Sequence, residues 1–183
     1  MVSEYLKQNT AELHDAAEKL FSSDKIFNKT FTFDDYKKII RNNYLMLLNS
    51  ENQIIESLSG HFSEKLQLDQ RKKLSVIEKD LSSLSIENEK PQQSVEISNH
   101  NEALGMLYVI EGSTLGGNVI AKQLSKTEGF EDVTFNFFGC YKENTGLMWK
   151  NFKEVLDTEV NEESYDEVLA GAKKLYTLLL NIN

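Results

Sequence analysis

Residues Leu104 to Leu124, reading LGMLYVIEGSTLGGNVIAKQL, space their apolar side chains as an α-helix does, yet they carry Gly105, Gly112, Gly116 and Gly117. A glycine inside a helix costs about 1 kcal/mol relative to alanine, so three of them between positions 112 and 117 require a compensating contact. Something must lie against bare backbone. A neighbouring helix meets that requirement, as in small-xxx-small packing, and so does a large flat ligand. The spacing does not choose between them.

The rest of the chain reads as a helical scaffold for this stretch. With 183 residues, 40% of them hydrophobic and 10% aromatic, it is long enough to bury a core, and we expect one all-α domain over residues 1–183. Pro91 is the single proline, so long segments are free of helix breakers. Ser3 is placed to cap a first helix running to about Phe21, with Leu6, Thr10, Leu13 and Ala17 on one face. Thr32 with Asp35 predicts a capping box opening a helix from about Phe33 to Leu58, ended by Ser59-Gly60. Glu51 falls on its apolar stripe and is expected to pair with a lysine or arginine or to reach the rim. Leu66, Leu74, Ile77, Leu81 and Leu84 predict a third helix over 63–84, whose charge run reads as a solvated face. Residues 85–98 read as a loop, and Asn99 with Glu102 as the cap of the glycine-bearing helix. Five aromatic residues between Thr127 and Gly146 predict a loop that packs inward. A helix from about Leu147 to Thr158 follows, and Asn161 is placed to cap the last one.

The net charge of -9 opposes binding to nucleic acid, which needs a basic face. One cysteine, Cys140, leaves no internal disulfide, and the opening MVSEYLKQNT lacks the layout of a signal peptide. No apolar run approaches the ~20 residues of a membrane span. A soluble, cytoplasmic protein is the expectation. The residues three before His14, His61 and His100 are Ala11, Leu58 and Ile97, so the Glu-x-x-His pairs of a di-iron bundle are missing. One cysteine and three scattered histidines make a poor zinc set, and no phosphate-binding or dinucleotide fingerprint occurs. His61 and His100 read as solvent-facing.

His14 has Glu18 one turn on, where the two side chains meet. Two readings stand: a histidine at the edge of the core satisfied by its neighbour, or an imidazole offered to a ligand. The second, combined with a helix of thinned backbone, suits a flat metal macrocycle held between two helices, with Glu18 fixing the imidazole tautomer.

A family resemblance bears on that choice. LKQNTAELHDAAEK, residues 6–19, resembles the opening of haem oxygenases. YVIEGSTLGG, residues 108–117, is similar to the distal helix of their bacterial branch, and AKKLYTLLLNIN is similar to the family's last core helix. The resemblance implies a helical bundle that opens haem to biliverdin, releasing CO and ferrous iron, with O2 and electrons from a ferredoxin, a flavodoxin or a reductase. It implies His14 as the axial ligand, Glu18 as the residue that orients it, and Lys7 as a partner of a haem propionate. Gly112, Gly116 and Gly117 match the glycines over the distal face, and Tyr176 matches an aromatic lining residue. Lys150 and Lys153 lie in a region suited to further propionate contacts. Ser113 stands where many members have an aspartate that holds the catalytic water network, a carboxylate that the bacterial pattern resembled here also tends to lack. That departure keeps a second expectation open, a haem-binding protein that stores or delivers haem without turnover.

Overall fold

The computed structural model describes residues 1–91 and 94–182, and among them every regular element is helical, with no strand. The α-helices are α1 (Val2–Asn9), α2 (Ala11–Leu20), α3 (Ser23–Phe27), α4 (Phe33–Leu58), α5 (Leu68–Arg71), α6 (Leu74–Leu84), α7 (His100–Leu124), α8 (Thr145–Glu159) and α9 (Tyr165–Leu180). None is long and apolar enough to cross a membrane.

The two long helices start where their caps place them. Thr32 and Asp35 exchange both bonds of a capping box at α4, and the Asn99 side chain accepts from the Glu102 N–H at α7. Gly60, at φ +88°, takes the left-handed turn after α4. α7 runs through the centre of the bundle, with α9 its most extensive neighbour and α4 and α8 on other sides. The approach of α9 is what Gly105 is for. A Cβ built there would sit 1.8 Å from the Val168 carbonyl oxygen, and one on Gly171 would sit 1.9 Å from that of Glu102. Two glycines facing each other's backbone let the helices cross at a distance no side chain permits. Ile40, Leu47, Leu81, Leu104, Phe152 and Leu175 are among the fully buried side chains of the core, each contributing about 1.5–3 kcal/mol.

Several expectations are corrected. The first helix is two, because Thr10 turns its hydroxyl onto the Leu6 carbonyl (2.8 Å) and its backbone leaves the helical region at φ -115°. Ser3 is not its cap: Met1 holds that place, and Ser3 donates from both N (2.8 Å) and Oγ (2.7 Å) to the Asp157 carboxylate on α8. The helix expected over 63–84 is broken into α5 and α6, and its charged residues are not all solvated, since Arg71, Lys73 and Asp80 are buried. The break is made from a distance. Glu51 reaches from α4 to accept from the N–H groups of Lys73 and Leu74, supplying the first turn of α6 with a carboxylate. Burial pushes the Glu51 carboxyl up, and these donors and the Lys73 charge oppose the rise. Finally, Asn161 does not cap α9, which starts at Tyr165 after a 3₁₀ turn over Glu162–Ser164.

The loop at 85–98 is irregular as expected where described, with Gln92 and Gln93 outside the described residues. Asp80 anchors the aromatic loop between α7 and α8. Its carboxylate accepts from Asn136 N (3.0 Å), Asn136 Nδ2 (2.8 Å) and Phe137 N (2.7 Å). That anchor sends Phe130 in among Phe31, Tyr36 and Phe135, and turns Phe137 and Phe138 toward α7.

Candidate functional site

A cavity of about 640 Å³ lies between α1 and α2 on one side and the glycine segment of α7 on the other, with α4, α8 and α9 closing it. Its size falls in the range of small-molecule and cofactor pockets. Lys7, His14, Glu18, Gly112, Ser113, Gly116, Gly117 and Tyr176, to each of which the sequence assigned a part, all line it. They come from three separate stretches of the chain.

The glycines divide by what faces them. Gly105 answers helix packing, whereas a Cβ on Gly116 would meet nothing within 4 Å and one on Gly112 would make ordinary contact with the Trp149 ring at 3.6 Å. Neither is required by a protein neighbour, so both thin the wall of the cavity. Gly117 seats the Phe138 ring, which approaches to 2.6 Å of where a Cβ would be. Helix packing therefore accounts for Gly105 and the Phe138 ring for Gly117, and Gly112 and Gly116 are left facing the cavity.

His14 is not a buried core-edge residue. Its side chain is 60% exposed, on the wall opposite the glycines, and its Nδ1 stands 3.7 Å from Glu18 Oε1. That distance is too long for a hydrogen bond but keeps the carboxylate beside Nδ1 and leaves Nε2 to a ligand. Asp15 and Glu18 stand with His14 at this wall. The Ser113 hydroxyl donates to the Ile110 carbonyl (2.8 Å), which fixes it against α7 while its oxygen still accepts. Tyr176 is buried at the back of the cavity, and burial, with Tyr108 and Glu18 nearby, pushes its phenol up to about 12, so it remains a neutral donor. Tyr108, likewise pushed up to about 12 mainly by burial, lies one turn before Gly112 and packs on Trp149 at 5.4 Å.

At the mouth, Lys7 and Lys153 supply positive charge, and Lys153 also lies 5.5 Å from the centre of the Trp149 ring. Lys150 pairs with Glu154 on the surface and does not line the cavity. His61 and His100 are exposed, as read, with His61 bonded to Glu159.

Sequence reasoning missed the α4 contribution (Ile39, Asn43 and Met46) and the aromatic wall of Phe137, Phe138 and Trp149. The single tryptophan, one turn before the candidate cation at 153, was the available signal. It also missed Glu111. That carboxylate is fully buried on the far side of α7, ion-paired to Arg71 and Lys73 and hydrogen-bonded by the Tyr141 hydroxyl. A lone charge amid the apolar run MLYVIEG pointed to it.

The architecture and the sequence have known counterparts. A curated haem oxygenase of Xanthomonas campestris pv. campestris (strain 8004) is 27% identical over 146 residues, covering 78% of this chain and 85% of its own length. The crystal structure of the NO- and CO-bound haem oxygenase from Neisseria meningitidis superposes with a TM-score of 0.68 at 19% identity, covering 98% of this chain and 90% of that one. The haem oxygenase family profile matches residues 1–182, and the chain belongs to that family.

Proposed function

We propose that this protein binds haem in the cavity between α2 and α7 and opens it oxidatively to biliverdin, with release of CO and ferrous iron. The observation that supports this reading most directly is the pairing of an exposed imidazole, His14, with a facing helix whose Gly112 and Gly116 have no packing need to be glycine. The residues present fit haem. The cavity has the volume, an apolar and aromatic interior, one imidazole to offer as a nitrogen ligand, and two lysines at its mouth for propionates.

Haem, when bound, supplies the iron and the conjugated ring on which O2, with electrons from outside, does the redox chemistry. The protein's part is position and protons. His14 would hold the iron through Nε2, and Glu18, beside Nδ1, would favour the tautomer with the proton on Nδ1. Lys7 and Lys153, which line the cavity, would pair with the carboxylates at the ring's edge and so orient it in its slot. The backbone at Gly112 and Gly116, bare toward the cavity, would lie against the ring and limit the space beside it. Ser113 accepts from a water at that face, and its hydroxyl, already tied to Ile110, orients the water as the proton source in place of an aspartate. Phe137, Phe138 and Trp149 keep other water out. A ferredoxin, a flavodoxin or a reductase delivers the electrons at the lysine-bearing mouth.

The assay is to add ferric haem to the protein, supply a reductant in air and follow products. Loss of the Soret band with biliverdin and CO formed in equal amounts supports the enzyme. A complex that stays intact through reduction and oxygenation identifies a haem-storing or haem-delivering protein and defeats the proposal, and the absence of an aspartate at Ser113 is the feature that favours that second reading.

A further inference from the structure

The charged group behind α7 is larger than a core needs. Glu111 is completely buried and takes donors from three side chains: Arg71, Lys73 and the Tyr141 hydroxyl, at 2.9 and 3.1 Å from its two oxygens. Arg71 continues through Nη2 to the Met148 carbonyl (3.2 Å) and Asn151 Oδ1 (2.9 Å) on α8. Lys73 spends its remaining protons on the Arg71 carbonyl (3.1 Å) and the Tyr141 oxygen (2.9 Å). Glu51 accepts from the backbone N–H groups of Lys73 and Leu74, which places a second buried carboxyl beside a cluster of two cations and one anion. Replacing such a cluster with packed apolar side chains is often neutral or stabilising. Stability alone does not account for it.

Its placement does. Glu111 is the residue before Gly112, and Arg71 ties it to the turn of α8 that carries Trp149, the one side chain facing Gly112. We propose that Glu111, with Arg71, Lys73 and Tyr141, is a positioning group that sets the height and rotation of the 112–117 backbone over the cavity, and through it the position at which the ring is opened. This inference rests on the haem-cleaving reading above. A glycine helix has little side-chain packing of its own to hold its register on the cavity face. Ion pairs of short range and fixed direction on the opposite face hold it instead. Tyr141 couples the pin to the aromatic loop, since its hydroxyl accepts from Lys73 and donates to Glu111.

The test uses Tyr141→Phe, which removes one donor and leaves every charge paired, alongside Glu111→Gln. Two readouts are taken: amide hydrogen exchange of residues 112–118 in the haem-free protein, and the ratio of biliverdin isomers from the haem complex. We expect faster exchange confined to 112–118 in Tyr141→Phe, and an isomer ratio changed by about ten-fold, the equivalent of about 1.4 kcal/mol between competing positions. A purely structural role lowers the melting temperature and moves neither readout, and that result overturns the inference. If wild type binds haem without opening it, the enzyme reading fails on its own, and the local exchange in the haem-free protein still decides whether the cluster positions the glycine segment.

Discussion

Gly116→Ala and Gly105→Ala differ by one methyl group each, on the same helix, and the structure assigns them opposite signs. At Gly116 the added Cβ meets no atom within 4 Å, so the haem-free protein gains the helix propensity of alanine, up to about 1 kcal/mol. For a chain of this size that raises the melting temperature by about 2–4 °C. At Gly105 the Cβ would lie 1.8 Å from the Val168 oxygen and 2.8 Å from the Ala172 nitrogen, both backbone. No rotamer relieves that overlap, and α7 and α9 must separate along the crossing, at a cost of about 3 kcal/mol or more. Haem affinity reverses the order. The Gly116 methyl stands on the wall of the slot and weakens binding about ten-fold, or about 1.4 kcal/mol, whereas the folded fraction of Gly105→Ala keeps an unobstructed wall. Thermal unfolding of the haem-free proteins and a haem titration of each measure all four quantities. A lower melting temperature for Gly116→Ala, or undiminished haem binding by it, refutes the division of the glycines into packing and cavity positions.

Other consequences follow from single contacts. Lys25 and the Thr32 N–H hold the Asp35 carboxyl at about 2, below its usual 3.8. The folded value is depressed, so its stabilisation is full above 3.8 and is lost as pH falls toward 2. Asp35→Asn should therefore be less stable than wild type at neutral pH and converge with it in an acid unfolding series below about pH 2. Asp157→Ala removes both acceptors of Ser3 and should cost about 1–2 kcal/mol in denaturant unfolding, with the N-terminal amides exchanging faster. Lys7→Ala and Lys153→Ala together should weaken haem binding and leave the melting temperature of the haem-free protein within about 2 °C, because both side chains lie at the mouth rather than in the core.

Much of this site was legible because its signals are local. Thr32-x-x-Asp35 and Asn99-x-x-Glu102 are self-contained caps, and they fixed both long helices. The glycines between 112 and 117 announced a missing contact, and His14 with Glu18 one turn on announced a possible ligand. What was not legible is set at long range. The start of α6 depends on Glu51, which lies 22 residues before Lys73 in the chain, and no local residue marks it. Arg71 and Lys73 look like surface charges until Glu111 is brought to them from 38 or more residues away. Gly105 and Gly112 carry the same letter and sit in the same helical pattern. Only the position of Val168 on α9 tells that one is packed against backbone and the other is not.

The account turns on His14 holding the iron across from the glycine face. The most direct measurement is haem cleavage by His14→Ala, with and without added imidazole, beside wild type. The account predicts that the variant loses the histidine-ligated spectrum and forms no biliverdin, and that imidazole restores both. A His14→Ala protein that converts haem to biliverdin at the wild-type rate without imidazole would contradict it.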